Sequence, residues 1–336
     1  MKVAVFETEQ WEHEACLRLQ PEHAVACTRE PLTKDTVALY ADAEIVSPFV
    51  YSKLDAGVLA GLPNLKLVAT RSTGYDHIDL AWCRAHGVAV CNVPDYGDHT
   101  VAEHVFALLL GVSRHLAEAV ERTRRGNFLQ SGLRGFDLHG KVLGVIGTGR
   151  IGRRVIGIAK GFGMDVVAFD VRADEAAAQR MGFRYASLDA ALAEADVVTL
   201  HLPATPQTIG LLSDREFGLM KPGAVLINTA RGNIVDVSAL VRALTGGHIR
   251  AAGLDVLPHE PVIREEAQIF RAEDSSEAYD LKALVANHVL LRFPNVIVTP
   301  HTAYNTDGAI GRILETTLHN IEAFARGEPQ NTVSGN

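Results

Sequence analysis

VLGVIGTGRIGRRVIGIAKGFGMDVVAFD, residues 142–170, is the stretch that decides the fold. A short apolar run, 142–146, reads as a strand, and Gly147-Thr148-Gly149-Arg150-Ile151-Gly152 then turns the chain into a helix expected over 150–162. Three glycines at this spacing have three separate jobs: a tight turn, a close approach of backbone to a pyrophosphate, and close packing of helix on strand. The N-terminus of the helix adds free N–H groups and partial positive charge. A second strand, 166–169, ends in Asp170, about twenty residues beyond the glycines, where an acid can accept hydrogen bonds from the ribose diol of an adenosine. Strand, turn, helix, strand and acid together mark a dinucleotide site with Gly147, Gly149, Arg150, Ile151, Gly152 and Asp170 as its candidate residues. Arg150 leaves two roles open, contact with the pyrophosphate or a solvated surface position. Arg172 could meet a 2′-phosphate, but Asp170 should repel one, so NAD is the expected cofactor.

Outward from this unit the alternation continues. VLGVIG, VVAFD, VVTLHLP, AVLINTA, IRAAGLDV and NVIVTP, each closed by a turn or polar residue, give six strands of a doubly wound, Rossmann-type domain. Upstream, apolar runs at 3–6, 43–46, 65–69 and 88–90 alternate with helical patterns, which implies a second parallel sheet. A long amphipathic segment, 100–124, reads as a helix bridging two domains or offering an apolar face to a second copy of the chain. The last segment, 302–336, holds one helix, expected over 309–326, and no strand of its own, so it is expected to return to the first domain. The fold class is therefore α/β: two doubly wound parallel-sheet domains with a cleft between them. A flavodoxin-like substrate domain spans 1–98 and is completed by 302–336; the dinucleotide-binding domain spans 99–301. The irregular stretch 260–295 is too long to be slack and is expected to be functional or locally structured.

Composition excludes several classes. At 336 residues, 47% hydrophobic and 21% charged, the chain is an ordinary globular protein of about two domains. Lys plus Arg number 32 against 40 Asp plus Glu, a formal net charge of −8, and no basic run suits nucleic acid. The four cysteines, Cys16, Cys27, Cys83 and Cys91, form no CxxC pair and read as core thiols, with no metal site expected. The N-terminal residues lack the apolar core of a signal peptide, and no run approaches the ~20 apolar residues of a membrane span, so the expected location is cytoplasmic.

Three polar residues stand where strands of the second domain finish: Arg231, Glu260 and His301. Ligands of open α/β sheets bind outside the carboxyl ends of the strands, so these three could converge. A 2-keto acid needs such a set. Its carboxylate and ketone oxygen suit the planar, permanently charged fork of an arginine. Its reduction needs a proton on the carbonyl oxygen as hydride reaches carbon, and histidine titrates near neutral pH. A glutamate beside the histidine would fix its tautomer and favour its protonated form.

GTGRIG at 147–152, INTARG at 227–232, GLDV at 253–256, HEP at 259–261 and TPHTA at 299–303 together resemble the D-isomer-specific 2-hydroxyacid dehydrogenases, over nearly the whole chain. The resemblance puts that family's catalytic arginine, glutamate and histidine on Arg231, Glu260 and His301, and its aspartate near the nicotinamide on Asp255. RSTGYDHIDL resembles the loop that holds the substrate carboxylate, here Thr73 and Gly74. VPDYGDHTVAEH resembles the segment entering the interdomain helix, which implies Tyr96 at the cleft and cofactor contact beginning at Val101 and Ala102. The long stretch before His301 and the phrase NVIVTPHTAYNT look most like the D-lactate dehydrogenase branch, where Tyr304 would face the substrate side chain. What the resemblance implies is an NAD-dependent enzyme interconverting a small 2-keto acid and its D-2-hydroxy acid, assembled as a homodimer. Relatives of the same fold act as NAD-sensing corepressors, a binding function that keeps the same three polar residues and is the alternative reading.

Overall fold

The computed structural model describes residues 1–20, 22–258 and 281–333. The chain divides into two compact units, 1–96 with 305–336, and 97–304.

The first unit is built on a parallel sheet of β1 (Lys2–Val5), β2 (Ala24–Cys27), β3 (Ile45–Ser47), β4 (Leu67–Ala69) and β5 (Ala89–Cys91), in the order β2-β1-β3-β4-β5. This is the flavodoxin-like order. Side chains alternate across the strands. Val3, Val5, Ile45 and Leu67 face one apolar cluster with Leu314, Leu318 and Ile321 of the helix Asp307–Ala325, while Ala4, Phe6, Val46 and Val68 face another with Leu54, Val58 and Leu59. The C-terminal helix, capped by Thr306 at the Ala309 N–H, thus packs on one face of a sheet made by the N-terminal residues, beside Cys16 and Leu19. Strand β2 was not apparent in the sequence: its residues Ala24, Val25, Ala26 and Cys27 lie half-exposed at the sheet edge and carry no strong apolar run.

The second unit holds β6 (Val142–Ile146), β7 (Asp165–Phe169), β8 (Arg184–Tyr185), β9 (Val197–Leu200), β10 (Ala224–Asn228), β11 (Ile249–Leu254) and β12 (Val296–Val298), all parallel, in the order β12-β11-β10-β9-β6-β7-β8. The order reverses at β6, as in a doubly wound dinucleotide-binding sheet. Strands β9 and β10 are buried at every residue, which is why they read as unbroken apolar runs. Six strands were expected; the seventh, β8, has only two residues and pairs with Val167 and Ala168.

The expected helix over 100–124 is two helices, Asp98–Ser113 and Leu116–Arg124. The Ser113 carbonyl, which a continuous helix would use four residues on, instead accepts from the Phe136 N–H at 3.0 Å, and His115 takes a left-handed φ of 50°. A Cβ at Gly135 would stand 2.1 Å from that same carbonyl, so only glycine lets the second strand of chain pass there. The first helix is buried along Val101, Ala102, Val105, Phe106, Leu108, Leu109 and Val112, whereas the second buries no residue.

Candidate active site

The glycine-rich turn leaves β6 at the point where the strand order reverses. Gly147 has φ +98°, and a Cβ there would lie 2.5 Å from the His201 carbonyl oxygen. At Gly152 a Cβ would lie 2.1 Å from the Gly147 oxygen. Those two glycines are demanded by the packing of the protein itself. Gly149 is different: a Cβ there would meet no atom within 4 Å. Open space beside a glycine at the start of the helix Arg150–Gly161 is what a closely approaching pyrophosphate requires, so the residues fit the cofactor.

Asp170 follows β7 and is tied to the turn. One carboxylate oxygen accepts from the Thr148 N–H at 2.7 Å and its hydroxyl at 3.0 Å, and the other accepts from the Arg172 N–H at 2.9 Å. Partial burial raises its pKa, but the hydrogen bonds from Arg172 and Thr148 outweigh this and hold the carboxyl below its ordinary value. An ionised acid at this position repels a 2′-phosphate. Arg172 meets Asp170 through its backbone. Arg150 is half exposed, its Nε 3.7 Å from Asp98, while Arg153 donates to the Thr148 carbonyl at 2.9 Å. The Thr148 hydroxyl, its own hydrogen given to Asp170, accepts from Tyr185 at 2.7 Å. Ala102, expected at the cofactor, is wholly buried in the apolar core of the unit.

Arg231 and His301 follow the carboxyl ends of β10 and β12, which flank β11. A chain of bonds links them. The Asn228 amide donates to the Arg231 carbonyl at 3.0 Å, the Asp255 N–H to the Asn228 carbonyl at 2.9 Å, and the His301 N–H to the Asp255 carbonyl at 2.9 Å. Gly232 lies so close to the chain after β11 that a Cβ would be 2.2 Å from the Leu257 carbonyl carbon. The Arg231 loop is therefore seated directly on the segment leading to Glu260, which lies outside the described residues. His301 has φ +55°, a conformation a non-glycine residue keeps only when its surroundings hold it.

Asp255 holds it. Its side chain is fully buried and accepts from the Thr299 hydroxyl at 2.5 Å, the Thr302 N–H at 2.9 Å and the Ala303 N–H at 2.8 Å. Burial raises this carboxyl's pKa, and the neighbouring His104 imidazole together with the bonds from Thr299, Ala303 and Thr302 more than reverses that, leaving it low and ionised. The aspartate of the GLDV phrase thus clamps the turn that carries His301. Sequence reading missed His104, Thr299 and His201. His201, after β9, stands beside Gly147, and burial pushes its pKa down to about 3, so the imidazole is neutral. The phrase VVTLHLP, a histidine at a strand end like His301, was the available signal for it.

In the first unit Thr73 and Gly74 follow β4. The Thr73 hydroxyl donates to the Val93 carbonyl at 2.7 Å, the Asn92 amide to the Thr73 carbonyl at 2.8 Å, and the Ser72 hydroxyl to the Gly74 carbonyl at 2.6 Å. Beneath them Arg71 is buried and donates to the carbonyls of Phe6 and Glu7 at 2.7 and 2.9 Å. The Tyr96 carbonyl accepts two bonds from Arg312 at 2.9 and 2.6 Å. Tyr304, half-buried, closes the second unit.

Residues 106–303 match the model of the D-isomer specific 2-hydroxyacid dehydrogenase, NAD binding domain. The chain belongs to the D-isomer-specific 2-hydroxyacid dehydrogenase family. It is 36% identical over 330 residues to a 2-hydroxyacid dehydrogenase homolog of Schizosaccharomyces pombe, covering 97% of this chain and 96% of that one. It is 36% identical to a D-lactate dehydrogenase of Curvularia clavata over 89% of this chain and 83% of that one. Among solved structures, the D-lactate dehydrogenase of Aquifex aeolicus, complexed with NAD and lactic acid, superposes with a TM-score of 0.88 at 36% identity, covering 99% of both chains. This 2-hydroxyacid dehydrogenase is an NAD-dependent oxidoreductase with the two parallel-sheet α/β units expected of it. Among its described residues no helix is long and apolar enough to cross a membrane.

Proposed function

We propose that this dehydrogenase interconverts a small 2-keto acid, pyruvate first among them, and its D-2-hydroxy acid, with Arg231 holding the substrate and His301 as acid and base. The observation that carries the reading is the tethering of Arg231 and His301, through Asn228 and Asp255, to the carboxyl ends of neighbouring strands in the sheet that bears the glycine turn. The lactic acid named with the Aquifex aeolicus enzyme supports a three-carbon substrate.

Gly147, Gly149, Arg150, Ile151, Gly152 and Asp170 hold NAD, which when bound as NADH supplies the hydride. The Arg231 guanidinium pairs with the keto-acid carboxylate and carbonyl oxygen through two parallel N–H groups, a geometry that lysine lacks. The His301 imidazolium donates its proton to the carbonyl oxygen during reduction and, as neutral imidazole, accepts it from the hydroxyl in the reverse direction. Glu260 is proposed, on the family resemblance, as the partner that fixes the His301 tautomer. Asp255 acts on the His301 turn. Thr73, Gly74, Tyr96 and Tyr304 are proposed substrate-binding residues on the family resemblance.

The test is NADH oxidation against a panel of 2-keto acids, with chiral analysis of the product. D-lactate from pyruvate is the expected outcome; no turnover with any member of the panel would favour a binding function instead. His301→Ala should lose most turnover and still bind NADH. Glu260→Gln, which keeps a hydrogen-bonding group but loses the charge, should lower kcat for reduction, and unchanged kcat would remove Glu260 from its role.

A homodimer and a cytoplasmic site of action belong to the same proposal. Leu116, Phe128 and Leu129 of the second unit are 55%, 78% and 70% exposed, an apolar surface suited to a second copy. Sedimentation of wild type and Phe128→Asp tests the first, and cell fractionation the second.

A further inference from the structure

The helix Asp98–Ser113 is apolar around most of its circumference, yet it carries an imidazole in its interior half. His104 is about one-fifth exposed, and its Nε2 lies 3.0 Å from the Thr299 hydroxyl and 3.4 Å from the buried carboxylate of Asp255. The helix packs tightly on the sheet beside these partners. A Cβ at Gly253 of β11 would stand 2.9 Å from the Cβ of Leu108, and a Cβ at Gly111 would stand 2.8 Å from Ile297 of β12, so the two glycines let helix and sheet meet at a fixed, close distance. The glycine of the GLDV phrase is thereby accounted for by helix contact.

The direction of the bonds follows from counting hydrogens. Ionised Asp255 only accepts. Thr299 has one hydroxyl hydrogen, and it points to Asp255 at 2.5 Å. At the contact between Thr299 and His104 the hydroxyl must therefore accept, so His104 carries its proton on Nε2 and donates. The order is His104 to Thr299 to Asp255, and from Asp255 the backbone N–H groups of Thr302 and Ala303 are held on the far side of His301. His301 itself is kept in its left-handed conformation between these bonds and those from its own N–H to the carbonyls of Asp255 and Thr299, both at 2.9 Å.

We infer that His104 is a positioning residue for the reaction: through Thr299 and Asp255 it sets the orientation of the turn that presents His301. The inference rests on the acid–base role proposed for His301. The main anchors proposed for the cofactor, the glycine turn and Asp170, follow other strands, β6 and β7, so loss of the relay should act chiefly on turnover and change NADH affinity little. A displacement of about 1 Å at a reacting group costs on the order of 10²-fold in rate. Loss of one outer partner should cost at least about tenfold.

The experiment compares wild type with His104→Leu, His104→Gln, Thr299→Val, Thr299→Ser and His301→Ala. It measures kcat and KM for pyruvate, the NADH dissociation constant by fluorescence, the melting temperature, and the primary isotope effect with NADH deuterated at C4. In His104→Leu kcat should fall with NADH affinity unchanged, and the isotope effect should rise because transfer has become the slow step. His104→Gln, which keeps a donor, should recover most of the loss, and Thr299→Ser should resemble wild type where Thr299→Val does not. The double variant His104→Leu/Thr299→Val should be no worse than Thr299→Val alone, the signature of one shared relay. Unchanged kcat in His104→Leu, or a fall in kcat matched by losses of NADH affinity and melting temperature, would overturn the inference. Should His104→Leu not fold, the two Thr299 variants decide it. An active His301→Ala control would instead overturn the role of His301, separately from the relay.

Discussion

Gly149→Ala separates what the glycine turn does for the fold from what it does for the cofactor. At Gly149 the backbone has φ −64° and ψ −166°, which alanine adopts, and the new Cβ meets no atom within 4 Å. Replacing a glycine in an alanine-compatible conformation stabilises by roughly 0.4–1 kcal/mol through the unfolded chain, while alanine in place of glycine at a helix N-cap costs roughly half a kcal/mol or more. The two nearly cancel, so the melting temperature should stay close to wild type. The methyl group does fill the space a pyrophosphate needs against the backbone. A weakening of NADH binding by roughly 10- to 100-fold, about 1.4–2.8 kcal/mol, is expected. Gly152→Ala is the counterpart. Its Cβ would sit 2.1 Å from the Gly147 oxygen, so the turn must open by roughly 1 Å, with an overpacking cost on the order of 1–3 kcal/mol. That variant should lose both stability and binding. Thermal unfolding without ligand and fluorescence titration with NADH measure the two effects. Wild-type NADH affinity in Gly149→Ala, or a melting temperature lowered as far as in Gly152→Ala, would refute the argument.

Three further outcomes follow from the same geometry. Asp170→Ala should narrow the preference for NADH over NADPH, seen in the ratio of kcat/KM for the two cofactors, because the ionised acid that repels a 2′-phosphate is gone. Arg231→Lys keeps the charge but not the fork, and kcat/KM for the keto acid should fall by an amount equivalent to about 2–4 kcal/mol; unchanged kinetics would place Arg231 outside the site. His201 is neutral in the fold, its pKa about 3 against 6.5 for the free group, so it contributes stability that is full above pH 6.5 and is lost as pH falls from 6.5 towards 3. His201→Gln should therefore flatten the stability curve between those values, measured by urea unfolding at a series of pH, and parallel curves would refute the burial of a neutral imidazole.

Legibility in the sequence tracked the range of the forces involved. Strands β6, β9 and β10, the helix after Gly149 and the acid at 170 were readable because their signals are local: apolar runs, a 3.6-residue period and glycines at set offsets. The weak edges were not. Strand β2 is half-exposed and made of small residues, and β8 has two residues, so each exists only because a neighbouring strand offers it hydrogen bonds. The break after Ser113 carries no proline or glycine of its own; its cause lies more than twenty positions on, where Phe136 takes the Ser113 carbonyl.

By itself, then, the sequence determined the parallel α/β class, the dinucleotide turn with Asp170, and the identity of Arg231 and His301 as polar residues at strand ends, since each of these is written within one strand-turn-helix unit. Tertiary structure alone decided what supports them. Gly149 differs from Gly147 and Gly152 only in what surrounds it, and Asp255 differs from an ordinary strand-end acid only because three donors enclose it. His104 and Thr299 lie 195 positions apart and meet at 3.0 Å. No pattern in a linear chain encodes that distance, because it is set by a helix and a sheet packing together, and close packing is a property of three dimensions.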